Sequence, residues 1–186
     1  MRSEAELIAG CASGNPAAQQ ELYDRFAGRM LVLCLRYARS QMEAEDALQE
    51  GFIKVFQAIR KFRGESKLQT WITRIMINSS LNIQRKKLYM LPMVDVDHAP
   101  LQETEEVHLA GIHLDDLIAM VQLLPDGCRL VFNLFAVEGY SHREIADMLK
   151  ISEGTSKSQY NRARMLLQSK LAGHEKIVNL YGKESI

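Results

Sequence analysis

The chain has 186 residues, 47% of them apolar and 25% charged, with a formal net charge of zero; this is ample for one large or two small packed cores and excludes disorder along the whole length. Three cysteines, Cys11, Cys34 and Cys128, are odd in number and far apart, so neither a disulfide framework nor a zinc-ligand pair is expected, and the thiols should be reduced and buried. No charged start followed by an apolar run marks a signal peptide, and no apolar run approaches the roughly 20 residues that span a bilayer, so a cytoplasmic protein is expected.

The neutral total hides a segregation of charge. Residues 1–50 hold five Lys or Arg against eight acids, and residues 51–87 hold nine against one. Residues 88–128 hold eight acids and no Lys or Arg, and residues 129–186 hold nine basic side chains against six acidic ones. Two basic blocks flank an acidic spacer, which suits two contacts with a phosphate backbone on a chain kept soluble overall.

Helical spacing dominates, with no strand alternation, so the expected fold is all-α. A first helix is predicted from Pro16 through Tyr37, burying Leu22, Phe26, Met30, Leu33 and Tyr37 at steps of four, four, three and four. A second is predicted from Met42 to Ile59, with Leu48, Phe52, Val55, Phe56 and Ile59 inward. Gly64 supports a turn in the segment FRGES, after which a third helix runs from Leu68 to Leu88 with Trp71, Ile72, Ile75 and Ser79 inward. Trp71 is assigned to the core rather than to a stacking platform, because it falls on the apolar stripe. Residues 91–113, with Pro92, Pro100 and acids but no periodicity, are expected to be a flexible acidic linker. Helical spacing returns at Leu114, Leu117, Ile118, Val121 and Leu124. Pro125 then precedes a helix carrying Leu130, Val131, Leu134 and Phe135.

From Gly139 to Leu171 the pattern is two short helices joined by a tight turn, a helix-turn-helix. Ser141 is placed to cap the first, with Glu144 as its capping-box partner and Ile145, Ala146 and Leu149 following at helical spacing. Ser152 repeats the device. In the second helix Ser156, Tyr160, Ala163 and Leu167 form a buried stripe, while Lys157, Ser158, Asn161, Arg162 and Met165 face outward. These are groups suited to phosphates and base edges, presented as a recognition helix presents them to the major groove. No element is assigned after Ala172.

The succession DALQEGFIKVFQAI, KFRGESKLQTWITRIMINSSLNIQRKK and LLPDGCRLVFNLFAVEGYSHREIADMLKISEGTSKSQYNRARMLLQSKL resembles the extracytoplasmic-function (ECF) group of bacterial RNA polymerase sigma factors over roughly residues 10–172. The resemblance implies sigma region 2 at residues 10–90, a linker at 91–113, sigma region 4 at 114–172 and a tail at 173–186. It also implies core RNA polymerase and promoter DNA as partners, with core binding through the clamp of the large subunit. Residues implied for that docking are Asp46, Gln49, Glu50, Lys54 and Phe56. Those implied for minus-ten recognition and melting are Phe62, Arg63, Gly64, Glu65, Ser66, Lys67, Arg74, Asn78, Asn82, Arg85 and Lys86, with Lys87 among the basic groups that hold the separated strand. The turn 62–66 resembles the loop that captures a flipped base, which helps offset an unstacking cost of a few kcal/mol. Thr155, Lys157, Ser158, Asn161, Arg162 and Met165 are implied for minus-thirty-five recognition. An anti-sigma factor, often membrane-bound, commonly covers the polymerase-binding surface of such proteins. Three departures from the family pattern stand out: Ser156 for a usual Val, Gln159 for a common Arg and Lys150 for a common Gly. Ser156 is expected either to loosen the packing of the recognition helix or to bond its hydroxyl to the backbone one turn back, Gln159 to cost a DNA contact, and Lys150 to occupy a conformation that suits Gly.

Other function classes are weighed against this one. An enzyme lacks support: there is no HExxH pair, phosphate-binding glycine loop or nucleophile elbow. His98, His108 and His113, in or beside the spacer, are expected to be solvated rather than metal ligands. No catalysis, cofactor or metal is expected. The leading alternative is a conventional helix-turn-helix regulator that binds a two-fold duplex site without polymerase, and a helical adaptor binding only proteins is a third.

Overall fold

The computed structural model describes residues 2–88 and 114–181, with side chains through Gln84 in the first stretch and from Asp116 to Leu171 in the second. The linker 91–113 with its three histidines, the side chains of Arg85, Lys86 and Lys87, and residues 182–186 lie outside what is described. The chain divides into two compact units, Met1–Met90 and Leu91–Ile186. Every regular element among the described residues is helical.

The first unit comprises α1 (Glu4–Ala12), α2 (Pro16–Tyr37), α3 (Gln41–Ala58), a 3-10 turn (Ile59–Lys61) and α4 (Leu68–Leu88). Local chemistry sets the helix starts. The Asn15 side chain accepts from the Ala17 and Ala18 amides while Pro16 takes the first helical position, where its missing N–H costs nothing. Ser40 accepts from the Glu43 amide to start α3. Helices α2 and α4 have the predicted bounds, whereas α3 starts one residue early and its end tightens into the 3-10 turn at Ile59.

Helix α1 was not predicted. Ser3 and Glu6 form a capping box at its start, and Leu7 and Cys11 are buried. The core joins these to Leu22, Phe26, Met30 and Leu33 of α2, Ala44, Leu48, Phe52 and Val55 of α3, and Leu68, Ile72, Met76, Ile77 and Leu81 of α4. Each fully buried Leu or Ile stabilises by about 1.5–3 kcal/mol.

The buried face of α4 differs from the expected stripe. Ile72 and Ser79 are buried as predicted, but Met76 fills the position between them, and Trp71 and Ile75 are only partly buried. The cause is Gly51 on α3: a Cβ there would lie 2.2 Å from Met76 Sδ, so the Met76 side chain occupies space that any larger residue would take. Gly51→Val would overpack this crossing.

The second unit comprises α5 (Leu114–Gln122), α6 (Asp126–Phe132), a π-helical turn (Asn133–Val137), α7 (His142–Leu149) and α8 (Glu153–Tyr181). Helix α8 thus continues well past Ala172. Met120, Val121, Leu124, Cys128, Ala163, Leu167 and Leu171 form its core. Within it Arg129 is fully buried, ion-paired with Asp126 and donating to the carbonyls of Leu124 (3.0 Å) and Gln122 (3.3 Å). Gln122 is the last residue of α5, where the helix supplies no partner for the carbonyl, and Leu124 follows two residues on, so Arg129 acts as the C-terminal cap of α5. The π turn closes with the Glu138 amide donating to the Asn133 carbonyl at 3.0 Å.

Candidate polymerase and nucleic-acid interfaces

Helix α3 turns one face to solvent. Asp46 and Gln49 are exposed on it, as predicted for docking, together with Met42 (72% exposed) and Ile53 (56%). Large apolar side chains at this exposure have their favourable burial still to gain. Met42 and Ile53 were not among the predicted docking residues, although steps of four, three and four place Met42, Asp46, Gln49 and Ile53 on one stripe. Glu50, one turn on from Asp46, is partly exposed, and Lys54 and Phe56 are partly buried. Lys54 pairs with Glu50 and also donates to the buried Ser79 hydroxyl of α4 at 3.1 Å. Phe56 is partly buried beside Phe52, with ring centroids 6.0 Å apart. Of these, Lys54 links α3 to α4.

The segment 62–66 leaves the 3-10 turn in extended conformation at Phe62 and turns at Gly64, whose φ of +72° favours glycine. Arg63 and Glu65 are highly exposed and 3.8 Å apart, a separation that binds weakly in water. Phe62 packs against Trp71 at 5.2 Å with a 52° tilt. Trp71 is therefore one half of an aromatic pair at the base of the loop, which corrects its assignment to the core stripe. Lys67, Arg74 and Asn78 are exposed along one side of α4, and Asn82, partly buried, follows Asn78 by one turn. The α4 backbone carries Arg85 and Lys86 one turn beyond Asn82.

The helix-turn-helix has the predicted caps. The Ser141 hydroxyl accepts from the Glu144 amide while the Ser141 amide donates to the Glu144 carboxylate. The Ser141 hydrogen bonds hold Glu144 below the usual carboxylate range. Ser152 accepts from the Thr155 amide at 2.9 Å, and its hydroxyl lies 2.8 Å from that of Thr155. Lys150 sits in the left-handed region at φ 58°, ψ 45°, as its replacement of Gly implied.

Ser156 is fully buried, as its stripe predicted, but its hydroxyl shares a 2.9 Å hydrogen bond with His142 Nδ1 rather than with the backbone one turn back. The His142 ring stacks on Phe135 at 4.2 Å and 10°, and Phe135 meets Tyr160 at 4.6 Å. One cluster thus joins the π turn, α7 and α8. Burial, then Lys157, lowers the His142 pKa, with Glu153 opposing. Gln159 turns inward and accepts from Cys128 Sγ at 3.0 Å, with Gly127 leaving it room. Its side-chain oxygen is thereby engaged within the unit.

Of the predicted outer face, Lys157, Arg162 and Met165 are exposed, and Ser158 and Asn161 are partly buried. Lys157 pairs with Glu153 at 2.7 Å, and Ser158 donates to the Thr155 carbonyl at 3.0 Å. Burial pushes Cys34 and Cys128 up to about 11, so both are protonated and inert thiols near neutral pH. Among the described residues no three His, Cys, Asp or Glu side chains come together as a metal site, and no helix is long and apolar enough to cross a membrane.

The family models for Sigma-70 region 2 and Sigma-70 region 4 match residues 22–88 and 114–167. The RNA polymerase sigma-H factor of Pseudomonas aeruginosa is 31% identical over 180 residues, covering 89% of this chain and 92% of that protein. The chain belongs to the ECF group of sigma-70 factors. The ECF RNA polymerase sigma-E factor of Haemophilus influenzae is 28% identical over 181 residues, covering 89% of this chain and 93% of that protein. The fold also matches, with TM-score 0.51 and 21% identity, the sigma factor RpoE from Bartonella quintana, solved with the anti-sigma factor NepR; the match covers 82% of this chain and 96% of that one. This sigma factor directs core polymerase to promoters and initiates transcription, and the reading as a regulator acting without polymerase is not favoured.

Proposed function

We propose a division of labour within the sigma factor. Residues 10–90 dock on core polymerase and hold the melted minus-ten strand, residues 114–172 read the minus-thirty-five duplex, and residues 91–113 set the separation between them. The observation that supports this most strongly is the face of α4 that carries exposed Lys67, Arg74 and Asn78 beside a Gly64 turn flanked by Arg63. Cationic side chains attract the phosphates, the Asn78 amide is free to bond a base edge, and the loop offers a niche for a base taken out of the stack.

In the second unit the same logic falls on the start of α8. Lys157 and Arg162 supply charge, Asn161 an amide, and Met165 an apolar contact for a thymine methyl group. The α3 face with Met42, Asp46, Gln49 and Ile53 docks on the clamp of the large polymerase subunit. An anti-sigma factor, of the kind found with the Bartonella protein, silences the protein by covering that same face. The spacer acids imitate nucleic acid along the path of the linker. The work is binding without covalent chemistry, and it takes place in the cytoplasm.

Permanganate reactivity of thymines in the open complex tests the minus-ten assignment. Asn78→Ala is expected to lower opening at a cognate promoter by about tenfold, the worth of one base contact, with the melting temperature unchanged because Asn78 is exposed. Unaltered opening would remove Asn78 from the site.

A further inference from the structure

Helix α1 is fastened at its start, middle and end. At the start, Glu21 of α2 accepts from the Arg2 amide (2.9 Å) and the Arg2 guanidinium (2.8 Å), and Arg25 donates to Glu21 and to the Arg2 carbonyl, both at 3.0 Å. In the middle, α1 crosses α2 so closely that a Cβ on Gly10 would lie 2.6 Å from the Cβ of Ala18. At the end, Arg60 Nε donates to the Ala12 carbonyl at 2.7 Å, bridging 48 positions in the chain. Ala12 is the last residue of α1, where carbonyls have no partner within the helix and a cation is favoured.

Arg60 belongs to the 3-10 turn Ile59–Lys61, and the residue that terminates this turn is Phe62, the first of the 62–66 loop. A three-residue 3-10 turn has poor hydrogen-bond geometry, so an outside anchor decides the direction in which the loop departs. Ile59, buried in the same turn, and the Arg60 bridge supply two such anchors.

We propose that Arg60 is a positioning residue: by capping α1 it sets the departure of the 62–66 loop and so its placement against the minus-ten strand. This rests on the minus-ten role given to that loop above. Arg60 acts through the carbonyl of Ala12 rather than by touching DNA, and α1 is the brace for the melting loop.

The test uses the full chain with core polymerase and three variants: Arg60→Gln, Gly10→Ala, and Gly10→Ala combined with Ala18→Gly. Gly10→Ala displaces α1 without altering any charge. Arg60→Gln and Gly10→Ala are each expected to slow opening of a duplex promoter by about three- to tenfold, the worth of one hydrogen bond. Core affinity should be unchanged, and the deficit should vanish on a template already melted across the minus-ten element. The double variant should recover, because it returns the missing space to the crossing. The inference is overturned if either single variant opens duplex promoters at the parental rate, or if its deficit persists on the melted template. It is also overturned if only Arg60→Gln matters and the salt dependence falls by about one counterion, the mark of a direct phosphate contact. Arg63→Ala and Glu65→Ala serve as controls. If they impair opening while the α1 variants do not, only the bracing fails; if they too are silent, the minus-ten assignment of the loop falls as well.

Discussion

Replacing Arg129 with Met should unfold the second unit selectively. The Arg129 side chain is fully buried, with Asp126 as ionic partner and the Leu124 and Gln122 carbonyls as acceptors. Met fills comparable volume but donates nothing, so the Gln122 and Leu124 carbonyls and a largely buried carboxylate each lose a donor. Each hydrogen bond to a charged group so lost costs about 1.5–3 kcal/mol, and breaking a buried ion pair from one side costs about 3–5 kcal/mol. The larger figure is close to the whole stability of a unit of this size, about 5 kcal/mol. A loss of 3 kcal/mol corresponds to a fall of roughly 12 °C or more in melting temperature. The chain contains one tryptophan, Trp71, in the first unit, so its fluorescence follows that unit alone while far-ultraviolet circular dichroism follows both. The expected result is a new early dichroism transition with the Trp71 transition unmoved. A single dichroism transition at the parental temperature would refute the assignment of Arg129 as a buried cap.

Arg162→Ala should weaken binding of minus-thirty-five duplex by about 1–3 kcal/mol without loss of folding; fluorescence anisotropy over a salt series measures it, and unfolding instead would indicate packing. Lys150→Gly should stabilise the second unit by about 0.5–1 kcal/mol, because only glycine takes the left-handed conformation freely, whereas Lys150→Ala should not; urea titration separates them. His142 gives a pH dependence of known sign. Its folded pKa lies below the ordinary 6.5, so the unfolded chain binds more protons, and the stabilisation present above about pH 6.5 is lost as pH falls through the folded value. Replacing His142 with Asn should flatten stability across that window, and a slope equal to the parent's would show that His142 does not carry it.

The parts of the fold written in short-range chemistry were legible in the sequence. Pro16 at the start of α2 and the Ser141 and Ser152 caps each mark a helix start. Features that depend on distant partners were not legible. Helix α1 is nine residues long, too short to be stable alone, and is held by Glu21, Ala18 and Arg60. The inner face of α4 follows from Gly51 making room for Met76 across a helix crossing, and Trp71 packs on Phe62 of the loop. Ser156 and Gln159 showed as departures from the family pattern, but their partners, His142 and Cys128, lie 14 and 31 positions away. Met42 and Ile53 were visible at helical spacing, yet exposure of an apolar residue is a property of the packed unit.

The most direct test of the account is transcription in vitro with core polymerase and this protein on sheared genomic DNA, followed by sequencing of RNA 5′ ends. Discrete starts that share two upstream elements at a fixed spacing and disappear when the protein is omitted are the expected result. No starts, together with tight binding of the protein alone to a two-fold duplex site, would contradict it.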